Sequence, residues 1–223
     1  MSTPEPTQRT PFQRRARQQL PSLVLTLLSI VQALALELLW SLVRESDWLF
    51  AMTPFAVLGW LQVLAVFIGI VLVWLIYVSN VVRFRWTPGT DDLVLPFIIG
   101  VIQFVLIDTN GPNSLGAWFG VQALIFAVMT AITQRILRRA RLDGSNDEYF
   151  RDITPANLRT FAGPAAMVAV IAGVGLVLGV TGYQGPLAIG AVGLLTLLLI
   201  AQMVSQHFYF QRSMSRPDRT ASR

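Results

Sequence analysis

Two carboxylates and four carboxamides interrupt the long apolar stretches of this chain: Glu37, Asp108, Gln32, Gln62, Gln103 and Gln122. A charged group at membrane depth is costly and by default marks an ion path, a proton path or a buried pair. Carboxamides at that depth can line a polar path, or they can simply form hydrogen bonds between helices. We take the six residues as a candidate polar pathway, with interhelical hydrogen bonding as the alternative for the glutamines.

Both acids have a structural alternative. Glu37 lies one turn before Trp40, so its carboxylate can reach the headgroup region by snorkelling or can pair with Arg44. Asp108 precedes the turn sequence Thr109-Asn110-Gly111-Pro112 and can bond its own loop. In both stretches a glutamine precedes the acid by five residues. If the chain folds as three helical hairpins packed around an axis, the two acids would stand at equal depth and predict an outward-facing vestibule that attracts cations or protons.

Most cofactor and enzyme chemistry is excluded by composition. The chain has no Lys, no Cys and a single histidine, His207, which removes Schiff bases, thiolate metal sites and thiol nucleophiles. The segment 143–148 resembles a calcium loop, but Glu148 and Thr154 occupy positions that need Gly and Glu. We therefore expect no catalytic, cofactor or metal site, and no enzymatic activity.

The elements that must position these residues are membrane spans. The chain is 54% hydrophobic and 13% charged, whereas a soluble domain carries about 25% charged residues. Apolar stretches run over residues 22–43, 54–79, 93–109, 114–134, 162–181 and 186–206, and all but the third reach the roughly 20 residues of a spanning helix. The sequence predicts an all-α polytopic membrane protein with a six-helix bundle at 22–206. A basic segment 1–21, a loop 135–161 and a basic tail 207–223 flank or interrupt it.

The arginines predict the orientation. With six spans, all of the 17 basic residues except Arg44 fall on one side, which places both termini in the cytoplasm of a cell (inner or plasma) membrane. This rim should attract anionic lipid, and no dense basic domain suggests a nucleic-acid partner. The Ala33-Leu34-Ala35 sequence imitates a signal-peptide cleavage site, but the apolar run continues to Val43, which favours a permanent span.

Short matches predict three hairpins of about 70 residues, although membrane helices share so few residue types that chance is the alternative. Thr-Pro precedes each odd span, and a second proline follows at Pro21, Pro96 and Pro164, predicting an interfacial turn and then a kink or break. The even spans end on a hydroxyl and an amide, at Ser79-Asn80, Thr133-Gln134 and Ser205-Gln206.

Small residues at i+4 spacing predict close helix packing: Gly116 with Gly120, Gly175 with Gly179, and Ala165, Ala169 and Gly173. They place the fifth span inside the bundle or at a protomer interface. The function that we expect is transport, as a homo-oligomeric channel or carrier subunit for a cation, proton or small solute. The alternative is a non-catalytic subunit or scaffold of a larger membrane complex. Convergence of the polar residues on one cavity favours transport, and dispersion favours the scaffold.

Overall fold

The computed structural model describes residues 11–83, 90–142, 144–146, 150 and 158–214. Within these ranges the chain forms six long α-helices and no strand: α1 Pro11–Glu45, α2 Pro54–Arg83, α3 Thr90–Asp108, α4 Leu115–Arg141, α5 Leu158–Thr181 and α6 Pro186–Met214. All except α3 are long and apolar enough to cross a membrane. The predicted all-helical fold is therefore confirmed for the described residues, and five of its helices could span a membrane by length and composition. The third helix has 19 residues, or about 28 Å at 1.5 Å per residue.

The sequence predicts a kink or a break at the prolines; a break is wrong, and a kink stays a prediction. Pro21, Pro96 and Pro164 each lie inside a continuous helix. A proline removes one backbone donor, and the remaining hydrogen bonds keep the helix intact where neighbouring groups satisfy the freed carbonyl. The first span is thus the continuation of a helix that already begins at Pro11. The Thr-Pro dipeptides at 87–88 and 154–155, and residues 143, 147 and 148 of the calcium-like segment, lie outside the described residues.

The helices pack in an open ring rather than as three equal hairpins. α1 contacts α2 and α3, α3 contacts α4, α5 packs on α4, and α6 packs on α2. α5 and α6 follow each other in the chain but barely touch. α2 and α4, which are separated by α3 in the chain, barely touch either. Because the hairpins meet through different helix pairs, the repeat stays a prediction from sequence.

The two ends of the bundle differ in charge. Among the described side chains, those of Arg83, Arg135, Arg138, Arg139 and Arg141 lie at one end, which we call the arginine-rich end. Arg139 forms an ion pair there with the buried carboxylate of Asp92, which ties α4 to the start of α3. The loops between α1 and α2, α3 and α4, and α5 and α6 form the opposite end.

The fifth helix is peripheral, so its predicted burial inside the bundle is wrong within this chain. Only 17% of its apolar window is buried. Its glycines do make a close contact as predicted, because a Cβ built on Gly116 of α4 would lie 2.5 Å from the Cα of Gly179. Small residues therefore bring α5 onto one helix, while its other faces remain exposed.

Candidate functional site

The two acidic residues lie on the surface of the bundle. Glu37 and Asp108 are both exposed. They stand at equal height because Gln32 and Gln103 pair across parallel helices and each acid follows five residues later. Five residues also rotate a side chain by about 500°, or 140° net, away from the glutamine. The acids therefore point away from the α1–α3 interface. No ion pair joins Glu37 to Arg44 in the described part of the chain.

Two of the four glutamines form reciprocal hydrogen bonds with each other. Gln32 Nε2 donates to Gln103 Oε1 at 3.0 Å, and Gln103 Nε2 donates back to Gln32 Oε1 at 3.1 Å. Both side chains are buried. Beside them α1 and α3 touch closely, because a Cβ on Gly100 would lie 2.4 Å from Val31 Cγ1. This pair is an interhelical clamp, which is the alternative considered for the glutamines.

The other two glutamines belong to a different environment. Gln62 of α2 is completely buried, and its Oε1 accepts a hydrogen bond from the backbone N–H of Gly111 at 3.1 Å. Gly111 has a φ of 130°, a conformation that glycine adopts without steric cost and that presents its amide to the interior. Gln62 Nε2 has no hydrogen-bond partner among the described residues.

Gln122 of α4 lies seven residues, or about 10 Å, along the helix from Leu115, which directly follows this turn. Gln122 is buried, and its Oε1 has no hydrogen-bond partner in the part of the chain that the structure describes.

Four residues toward the opposite end have buried side-chain polar atoms without a partner among the described residues, and we call them the turn cluster: Gln62, Asn110, Trp118 and Gln122. Trp118 Nε1 and both side-chain polar atoms of Asn110 are also buried and unpaired among the described residues. A buried polar atom without a partner costs about 1–3 kcal/mol. Such atoms are commonly satisfied by bound water or by another small polar molecule.

A second polar site opens at the arginine-rich end. It is a cleft of about 250 Å³ bordered by α2, α4 and α6, with Pro164 of α5. We call it the amide cleft, and its polar lining consists of Asn80, Arg83, Thr130, Thr133, Gln134, Gln202 and Gln206. None of the residues predicted to form a polar pathway lines this cleft. The sequence feature that could have indicated the cleft is the hydroxyl–amide ending of the even spans, which supplies Asn80, Thr133, Gln134 and Gln206.

An apolar layer separates the turn cluster from the amide cleft. Along α4, Gln122 and Thr130 are eight residues apart, or about 12 Å. Ala123 and Met129 are buried between them, and Phe126 packs against the core. On α2 the buried side chains of Val66, Ile70 and Val73 fill the corresponding level. The two polar sites therefore lie on the same pair of helices without a continuous opening between them.

A wide hollow among the described residues lies elsewhere and carries no polar chemistry. It measures about 1080 Å³ and is lined almost entirely by apolar side chains of residues 49–64 and Ile189. Among the described residues no group of His, Asp or Glu side chains could hold a metal ion. No protein-family model, curated protein or solved structure matches this chain. The two polar sites are therefore the basis for a functional proposal.

Proposed function

We propose that this protein is a transport-type membrane protein, a channel or carrier subunit whose path for a small polar solute runs between α2 and α4. The observation that carries the proposal is the placement of polar groups on this helix pair at two heights, with an apolar layer about 12 Å thick between them. Polar side chains at membrane depth that face the interior of a bundle commonly mark a substrate path. No enzymatic step belongs to this proposal.

The packing suggests how such a path would open. α4 carries α5, and α2 carries α6, while the two pairs barely touch each other. The Gln32–Gln103 clamp joins the halves on the far side through α1 and α3. Rocking of one half against the other around that clamp would part the apolar layer and connect the two polar sites, as in alternating access.

Topology and assembly extend the same proposal. All six helices would span the membrane of the cell, with α3 as the shortest span and both termini in the cytoplasm, because the arginine-rich end then faces the cytoplasmic leaflet. Anionic lipid would contact this end. The exposed leucine and valine side chains of α5 and α6 would face lipid or a second copy of the chain in a homo-oligomer.

Flux measurements in reconstituted vesicles test the proposal. The probes are protons, K⁺ and glycerol, followed by a trapped pH dye, a K⁺ electrode and light scattering. Gln122→Leu and Gln62→Leu should lower the flux of the transported probe by about tenfold, since each removes a polar contact worth about 1.5 kcal/mol. Glu37→Gln and Asp108→Asn are the matched controls and should leave the flux unchanged, because both acids lie on the surface. Absence of flux for every probe, or equal flux in all four variants, would contradict the proposal.

A second function has its own supporting observation. The exposed carboxylate of Glu37 lies within a helix long and apolar enough to span a membrane, and it has no ion-pair partner among the described residues. A charge in such a position fits a partner helix with a basic residue, as expected of a non-catalytic subunit or scaffold in a larger complex. Purification from native membranes in mild detergent should then yield a stoichiometric partner that is lost in Glu37→Gln. A homo-oligomer without other chains would count against this alternative.

A further inference from the structure

We propose that the amide cleft binds a phosphate group, either that of a lipid headgroup or that of a soluble phosphate compound. The cleft has hydrogen-bond donors on three separate helices. α2 contributes Asn80 and Arg83, α4 contributes Thr133 and Gln134, and α6 contributes Gln206. Phosphate has three or four acceptor oxygens directed to the corners of a tetrahedron, so donors on several sides can bind it at once.

The charge of the lining favours an anion. Among the described residues that line the cleft, Arg83 is the one charged residue and none is a carboxylate. Its guanidinium lies 5.8 Å from the ring centroid of Phe210 on α6, a contact that limits where the cation can lie. Arg135 follows directly after Gln134 and is exposed at the same end. The positive charges of Arg83 and Arg135 at this end would attract a phosphate.

The size and depth of the cleft also fit a phosphate group. Its volume of about 250 Å³ lies just below the ~300–1,000 Å³ that is usual for pockets of drug-sized ligands. Gln134 directly precedes Arg135, and Thr130 lies eight residues, or about 12 Å, before Arg138. The cleft therefore reaches headgroup level if that end marks the interface. A lipid phosphate can therefore enter from the bilayer and a soluble phosphate from the aqueous side.

Binding in detergent tests this inference without a membrane gradient. The full chain in a neutral detergent is titrated with inorganic phosphate, with dihexanoyl phosphatidic acid and with dihexanoylglycerol, and binding is measured by calorimetry. We expect at least one phosphate probe to bind and dihexanoylglycerol not to bind. Binding of phosphatidic acid alone identifies a lipid headgroup as the ligand, and binding of inorganic phosphate identifies a soluble source.

Three variants separate this site from general attraction to the arginine-rich end. Arg83→Gln should weaken phosphate binding by about tenfold or more, because charge-assisted bonds are about twice as strong as neutral ones. Gln134→Leu should weaken phosphate binding less. This variant tests the site if Arg83→Gln does not fold. Arg138→Gln is the matched control, since Arg138 is exposed on the same helix outside the cleft. Absence of binding by both phosphate probes, or an equal loss in Arg138→Gln, would overturn the inference.

Phosphate binding in the amide cleft does not depend on the proposed transport function. Only the further step, that phosphate is the transported solute, rests on that function. Phosphate binding in detergent together with no flux in vesicles would remove the transport proposal and leave the phosphate site. Flux of protons, K⁺ or glycerol through a protein that binds neither phosphate probe would do the reverse.

Discussion

The contact between α4 and α5 gives the sharpest prediction for a single substitution. In Gly116→Ala, the new Cβ would lie 2.5 Å from Gly179 Cα and 2.9 Å from the carbonyl oxygen of Gly175. Non-bonded carbons prefer about 3.5–4.0 Å, and all of these atoms are backbone, so no side chain can rotate away. The two helices must therefore separate by about 1 Å along this contact.

A neighbouring glycine provides the matched control. Gly120 lies one turn further along α4, and a Cβ built on it meets nothing within 4 Å. Replacing glycine by alanine inside a helix stabilises it by about 1 kcal/mol in either position. Overpacking costs about 1–3 kcal/mol and applies only at Gly116. The difference in the free energy of unfolding between the two variants should thus equal the overpacking cost.

Thermal unfolding of both variants in the same detergent measures this difference. For a chain of this size 1 kcal/mol shifts the Tm by about 2–4 °C, so Gly116→Ala should unfold about 2–12 °C below Gly120→Ala. The Gly120 variant should equal the wild type or exceed it slightly. Equal Tm values for the two variants would refute the close approach of α4 and α5.

Three further predictions concern other contacts. Gln32→Leu leaves the amide of Gln103 unpaired and should destabilise the protein by about 0.6–2 kcal/mol. The double Gln32→Leu/Gln103→Leu variant should recover part of this loss. A double-mutant cycle of unfolding free energies measures the coupling between the two residues. Arg139→Gln takes the ion-pair partner from the buried Asp92 carboxylate and should cost up to about 3 kcal/mol in thermal unfolding. Phe126→Ala thins the apolar layer and should raise the flux in vesicles; unchanged flux would remove this ring from the barrier.

The positions of the helices were predictable because the apolar stretches end at polar or turn-forming residues. The predicted span 54–79 lies within α2, and the span 186–206 lies within α6. The prediction of breaks was wrong because the tendency of proline to interrupt a helix was given more weight than the continuous backbone hydrogen bonding on both sides of each proline. A helical turn beginning at Pro11 was predicted, but its continuity with the first span was missed for the same reason.

Which face of each helix is buried and which is exposed was not predictable from one sequence. Lipid and protein interior are equally apolar, so Leu34, which is exposed, and Leu39, which is buried, follow the same pattern. Gln32 and Glu37 were placed in one pathway, although five residues of helix turn them to different sides. The hydroxyl–amide endings were visible in the sequence, but their convergence depends on the packing of α4 and α6 beside α2.

Thiol labelling tests the path between α2 and α4 most directly, because the natural chain contains no cysteine. Single variants Gln122→Cys, Thr133→Cys and Leu124→Cys are made in oriented vesicles and exposed to a membrane-impermeant thiol reagent on either side. Water-exposed thiols ionise and react, whereas thiols in apolar surroundings are inert. We predict that Thr133→Cys reacts from the arginine-rich side and Gln122→Cys from the other side. Leu124→Cys, on the exposed face of α4 beside Gln122, should stay unlabelled. A Gln122→Cys thiol as inert as that of Leu124→Cys would contradict the account.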